Sequence, residues 1–113
     1  MPSANVWLTA ITRIEQFQGR FQQVFTADSA EALMRAWDRL LTTEKWYSTK
    51  QVLPIDEKAA TTFDRLRSGK LGKLGRKDLL IAAIVLSRNY VLLTRNIRDF
   101  QRVPGLRIED WSH

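Results

Sequence analysis

Two aspartates in the last third of the chain stand at the borders of apolar segments. Asp78 precedes the apolar run Leu79 to Leu86, and Asp99 follows the strand-like Tyr90 to Leu93 by way of Thr94, Arg95 and Asn96. Carboxylates at the edges of apolar elements are placed to converge on a hard divalent cation, which takes oxygen ligands and keeps several of its waters. The chemistry this suggests is metal-assisted hydrolysis, and a metal-dependent nuclease is the first expectation. Each aspartate also has a purely structural reading. Asp78 would cap the apolar helix that follows it, and Asp99 would start a last helical turn or pair with Arg98 or Arg102. A third carboxylate, Glu15, lies three residues after Thr12, the spacing of a capping box in which hydroxyl and carboxylate satisfy each other's backbone N–H groups.

Composition narrows the alternatives. With no cysteine, disulfides and thiolate zinc sites are excluded. The single histidine is the terminal His113, which argues against imidazole catalysis and histidine-rich metal sites. Whatever chemistry exists rests on carboxylates. The net charge of +6 favours a polyanionic partner: nucleic acid, an acidic membrane surface or an acidic protein. Part of that charge is concentrated between Ser68 and Lys77, where Gly69, Gly72 and Gly75 alternate with Lys70, Lys73, Arg76 and Lys77. This reads as a flexible basic loop. It is equally a solvated connection and an RNA contact that neutralises phosphates without reading bases. Trp7, Trp37, Trp46, Trp111, Tyr47 and Phe63 are read as core or interface residues rather than as base-stacking platforms.

The elements that must position these groups follow from periodicity and caps. Val6 to Ile11 reads as a buried strand, and the Thr12–Glu15 box starts a helix at about Arg13 that runs into the low twenties. From Ser29, the positions Leu33, Trp37, Leu40 and Leu41 recur at helical spacing and define an inward face up to about Thr43, with Glu31, Arg35, Asp38 and Arg39 outside. Val52 to Ile55 is a short strand. Asp56 is the N-cap of a helix through Arg67 with Ala59, Ala60, Phe63 and Leu66 inward. Leu79 to Ser87 is a helix apolar nearly all round, and Tyr90 to Leu93 and Leu106 to Ile108 are strands. Strands alternating with helices predict an α/β fold with a mostly parallel sheet, in one domain spanning 1–113. No segment is long and apolar enough to span a bilayer, and the N-terminus lacks a basic stretch followed by an apolar core, so the expected location is the cytoplasm.

The stretches T-A-I-T-R-I-E-Q-F-Q-G (Thr9 to Gly19), D-L-L-I-A-A (Asp78 to Ala83), T-R-N-I-R-D-F (Thr94 to Phe100) and V-P-G-L-R-I-E-D-W (Val103 to Trp111) resemble PIN-domain proteins, in particular VapC-type toxins of bacterial toxin–antitoxin pairs. The resemblance covers nearly the whole chain from Val6 onward. It implies a PIN-like (Rossmann-like) fold, an acidic cluster holding Mg2+ or Mn2+, and a water activated to cut RNA. Carried over residue by residue, the catalytic and metal-binding carboxylates are Glu15, Asp78 and Asp99. Thr94 and Asn96 fall on polar positions beside the metal; on charge rather than on the resemblance, Lys70, Lys73, Arg76, Lys77 and Arg95 are the candidate RNA contacts. The implied partners are RNA and a cognate antitoxin.

One departure accompanies the match. PIN proteins open with a strand ending in an L-D-T-N type motif whose aspartate is a principal metal ligand, and no equivalent aspartate precedes Glu15 here. The expectation is therefore an N-terminally shortened domain whose sheet is rearranged or completed by another copy, as a homodimer or domain-swapped oligomer. The alternatives are a nuclease-inactive PIN remnant that binds an antitoxin, RNA or itself, and a true start lying upstream of Met1.

Overall fold

A computed structural model describes residues 8–69, 71 and 74–110. Contacts divide the chain into two compact units, Met1–Val52 and Leu53–His113.

Unit 1 is a helical hairpin led in by a short strand: β1 (Leu8–Thr9), α1 (Ala10–Thr26) and α2 (Ala30–Ser48), with β2 (Val52–Leu53) at its boundary. The expected strand from Val6 to Ile11 is reduced to Leu8–Thr9 among the described residues, because the helix starts three residues before the predicted place. Thr9, in extended conformation, is the N-cap, and its hydroxyl accepts the Thr12 N–H at 3.3 Å. The hydroxyl that ends the strand is thus followed at once by alanine, the best helix former. Thr12 and Glu15 are consequently no capping box, and Glu15 lies exposed in the second turn of α1. Leu8 N–H donates to the Gln51 carbonyl at 3.3 Å, which pairs β1 with the approach to β2.

In α2 the Ser29 hydroxyl accepts from Ala32 N–H at 3.0 Å. Glu31 in the first turn and Lys45 in the last complement the helix dipole. The inward face differs from the expected one. Ala36, Leu40, Thr43 and Tyr47 are buried, while Leu33, Trp37 and Leu41 stay 45%, 48% and 45% exposed. Leu40 is buried as expected, and the face it shares with Ala36, Thr43 and Tyr47 packs on α1. The Thr43 hydroxyl can then accept Arg20 Nε–H at 3.0 Å, and the Tyr47 ring meets that of Phe17 with centroids 5.7 Å apart.

Unit 2 holds α3 (Glu57–Arg67), α4 (Arg76–Ser87), β3 (Val91–Thr94), α5 (Ile97–Phe100) and β4 (Arg107–Asp110). Asp56 caps α3 as read from the sequence: its Oδ1 accepts Ala59 N–H at 2.9 Å, and its Oδ2 pairs with Arg88 at 2.7 Å. Ala59 and Leu66 are buried and Phe63 packs against the core, whereas Ala60, expected inside, is exposed. α4 starts at Arg76 behind Gly75 as N-cap. Arg76 and Lys77 are therefore helical rather than loop residues, and Asp78 is third in the helix rather than its cap. An acid in the first turn is favoured there by the dipole alone. Ala82, Ala83, Ile84 and Val85 are buried, as an all-round apolar helix requires.

A tight turn returns α4 into β3. Tyr90 N–H donates to the Val85 carbonyl at 3.1 Å, and Asn89 takes φ 57°, the left-handed region that asparagine tolerates better than most residues. The Arg107 guanidinium donates to the Asn89 carbonyl. β3 and β4 are parallel, with Val91 opposite Arg107 and Thr94 opposite Asp110, so both strands lie slightly later than the expected Tyr90–Leu93 and Leu106–Ile108. The strands form two two-stranded sheets, β1 with β2 and β3 with β4. The core of unit 2 gathers Leu66, Leu79, Ala82, Val85, Leu92, Phe100 and Val103. The class is α/β, as expected. Among the described residues no helix is long and apolar enough to cross a membrane.

Candidate functional site

Unit 2 carries four of the sequence-predicted site residues at one end. α4 and β3 are joined by a turn of three residues, so β3 runs back along α4 and its C-terminal end lies where α4 begins. Leu79 from the first turn of α4 and Phe100 from α5 share one buried cluster with Leu92, which ties the three elements together at that end. Asp78 stands in the first turn of α4, Thr94 is the last residue of β3, Asn96 is the N-cap of α5 and Asp99 lies within α5. In open α/β sheets this carboxyl end of the strands is where ligands bind.

Asp78 and Asp99 are both half-buried, a setting that restrains a carboxylate while leaving it reachable. The Thr94 hydroxyl accepts Asn96 N–H at 3.0 Å, which folds the chain between β3 and α5 into a hydroxyl-closed turn and leaves the hydroxyl proton to donate elsewhere. Oxygen-only donors of this kind suit Mg2+ or Mn2+ rather than a softer metal. Within either unit, no three acidic or imidazole side chains of the described residues form a group able to hold an ion by themselves. Two carboxylates completed by waters is a usual arrangement for Mg2+, so the donor chemistry of unit 2 fits such an ion.

Sequence reasoning passed over Asp110. The parallel register sets it opposite Thr94 at the end of β4, without making a group of three acidic side chains among the described residues. The signal that finds it is strand pairing, which the chain order alone does not contain.

Of the predicted RNA contacts, Arg76 and Lys77 are exposed in the first turn of α4, and Arg95 is exposed just beyond β3. Lys70 and Lys73 lie outside the described residues. The Arg76 guanidinium sits over the Phe63 ring, 5.4 Å from its centroid. In unit 1, Glu15 is exposed on α1. Two residues before it, Arg13 stands 5.5 Å from the Phe17 ring centroid and 6.0 Å from that of Tyr47. Burial pushes the Tyr47 hydroxyl above the ordinary tyrosine range, and the Arg13 charge opposes this in part. Trp37 and Trp46 are about half exposed rather than core, and Trp7 and Trp111 lie outside the described residues.

No family model matches the chain. It is 36% identical over 112 residues to the tRNA(fMet)-specific endonuclease VapC of Salmonella typhimurium, covering 96% of this chain and 77% of that relative. The chain belongs to the VapC family of PIN-domain toxins. Solved structures agree with this placement. The DNA-bound VapBC of Salmonella typhimurium matches with a TM-score of 0.73 at 32% identity, over 96% of this chain and 77% of that one. VapBC-1 from nontypeable Haemophilus influenzae matches with a TM-score of 0.71 at 27% identity, over 100% of this chain and 79% of that one. The VapC relationship spans both units, and the end of unit 2 that holds Asp78 and Asp99 falls within it.

Proposed function

We propose that this chain is the ribonuclease toxin of a toxin–antitoxin pair, a metal-dependent hydrolase of RNA phosphodiester bonds. The observation that carries the reading is its kinship, along almost its whole length, with a VapC whose name is that of an RNA endonuclease. Asp78 and Asp99, at the strand ends of unit 2, hold a Mg2+ or Mn2+ ion in this reading. Such an ion, when bound, lowers the pKa of a water and neutralises charge developing on phosphate. Thr94 and Asn96 position a carboxylate or a water through the hydroxyl and the amide. Arg76, Lys77 and Arg95, with Lys70 and Lys73, neutralise the RNA backbone. Glu15, in unit 1, is the third carboxylate that the family resemblance assigns to metal binding. The units work as one PIN-like domain in the cytoplasm, as a homodimer or swapped oligomer held by an antitoxin.

The test is cleavage of structured and single-stranded RNA, tRNA(fMet) included, with Mn2+, against EDTA and against Asp78→Asn. Cleavage abolished by both controls supports the reading. A second reading, a partner-binding module that does not cut, draws on the lack of three grouped carboxylates within either unit among the described residues. Well-folded protein that binds an antitoxin or RNA but leaves every RNA intact would select it.

A further inference from the structure

Between α3 and the start of α4 runs an open cleft of about 270 Å3 that the roles assigned above leave unused. Its apolar wall is Phe63, Leu66, Leu71, Leu74 and Leu79. Arg67 and Arg76, both exposed, also line it. Arg67 is engaged by Asp64 at 2.7 Å, while the Arg76 guanidinium covers the Phe63 ring. In the sequence, residues 65–77 contain six lysines and arginines (Arg65, Arg67, Lys70, Lys73, Arg76, Lys77) between Asp64 and Asp78, a basic stretch that favours a polyanion, and two of them, Arg67 and Arg76, line the cleft.

We propose that this cleft is a nucleobase subsite, which receives one unpaired base of single-stranded RNA beside the phosphodiester to be cut. The inference rests on the ribonuclease reading and adds to it a place for the base. An apolar wall with a guanidinium at its edge matches a nucleotide, which joins a flat π-faced base to an anionic phosphate. Arg76 already lies on Phe63, so a base entering above it continues a phenyl–guanidinium–base stack, a geometry arginine favours and lysine cannot reproduce. Arg76 and Leu79 bracket Asp78 within one helical turn, which sets the occupant close along the chain to a carboxylate of the proposed metal site. Because every base has a π-face, the subsite tolerates sequence and selects for unpaired structure.

The full chain in EDTA, titrated with a short single-stranded oligoribonucleotide carrying 2-aminopurine and with a matched abasic strand, tests this. Arg76→Lys keeps the charge on an exposed position and removes the planar stack; Phe63→Leu removes the ring. Both variants are expected to bind the base-bearing strand about tenfold more weakly, to lose the 2-aminopurine quench, and to bind the abasic strand as the parent does. Equal weakening for both strands reduces Arg76 to a phosphate contact and overturns the proposal, as does no weakening at all. It is likewise overturned if Arg76→Lys leaves RNA binding intact but weakens an acidic amphipathic peptide. If both proteins cut RNA with equal kcat/KM in Mn2+ and bind it equally, the subsite falls and the ribonuclease reading stands. Base-selective binding without cleavage in any metal gives the reverse.

Discussion

Thr94 joins backbone order to proposed chemistry through one oxygen. Its hydroxyl accepts the Asn96 N–H, fixing the chain that leaves β3, and its remaining proton can orient a carboxylate or water. Thr94→Ala is expected to lower RNA cleavage about 10–100-fold, the range typical of groups that orient metal ligands, with an unchanged far-UV circular dichroism spectrum. Thr94→Ser should restore most of the loss. Tyr47 gives a prediction in pH. Its hydroxyl is held neutral by burial, so the folded chain keeps that proton to higher pH than the unfolded chain does. The resulting stability is complete below the ordinary tyrosine value of 10.0 and is lost as pH rises through the higher folded value. Urea midpoints should therefore fall above about pH 10 in the parent, and Tyr47→Phe should flatten that fall.

Among the elements, the start of α3 is tied to the far end of α4 by one carboxylate. Asp56 caps α3 with one oxygen and holds Arg88, just past the end of α4, with the other. Asp56→Ala is expected to cost about 1–2 kcal/mol in chemical denaturation, more than Ser29→Ala, which removes a cap alone at about 1 kcal/mol. Asp56→Ser, which keeps a capping hydroxyl and loses only the ion pair, should cost less than Asp56→Ala. The cap of α3 was legible because an aspartate before an amphipathic run is a local signal. The start of α4 was not, since Gly75 caps without any side-chain bond and Asp78 offered a stronger but misleading mark. On α2 the large apolar residues set a periodicity that pointed to Leu33, Trp37, Leu40 and Leu41, yet of these only Leu40 is buried, on a face that runs through Ala36, Thr43 and Tyr47. Asp78 and Asp99 stood out in the sequence as candidates because each borders its own element. Asp110 was not, since its neighbourhood with Thr94 exists only through the pairing of β3 with β4.

For the whole molecule, apolar exposure on the α1–α2 hairpin matters most. Ile14, Phe21, Phe25, Met34, Trp37 and Trp46 are all at least 46% exposed there, and Phe25 reaches 82%. A surface of this kind favours association. Phe25→Ser is expected to move stability by no more than about 0.5 kcal/mol and to reduce concentration-dependent light scattering of the isolated chain. An antitoxin that covers the hairpin should produce the same reduction without any substitution. At this scale the double duty of Asp56 also narrows what can replace it. Asparagine there would retain the cap and forfeit the charge, and glutamate would retain the charge on an arm too long to cap well. A single substitution at that half-buried position therefore cannot keep both contacts, and aspartate is the side chain that ties the start of α3 to the residue closing α4.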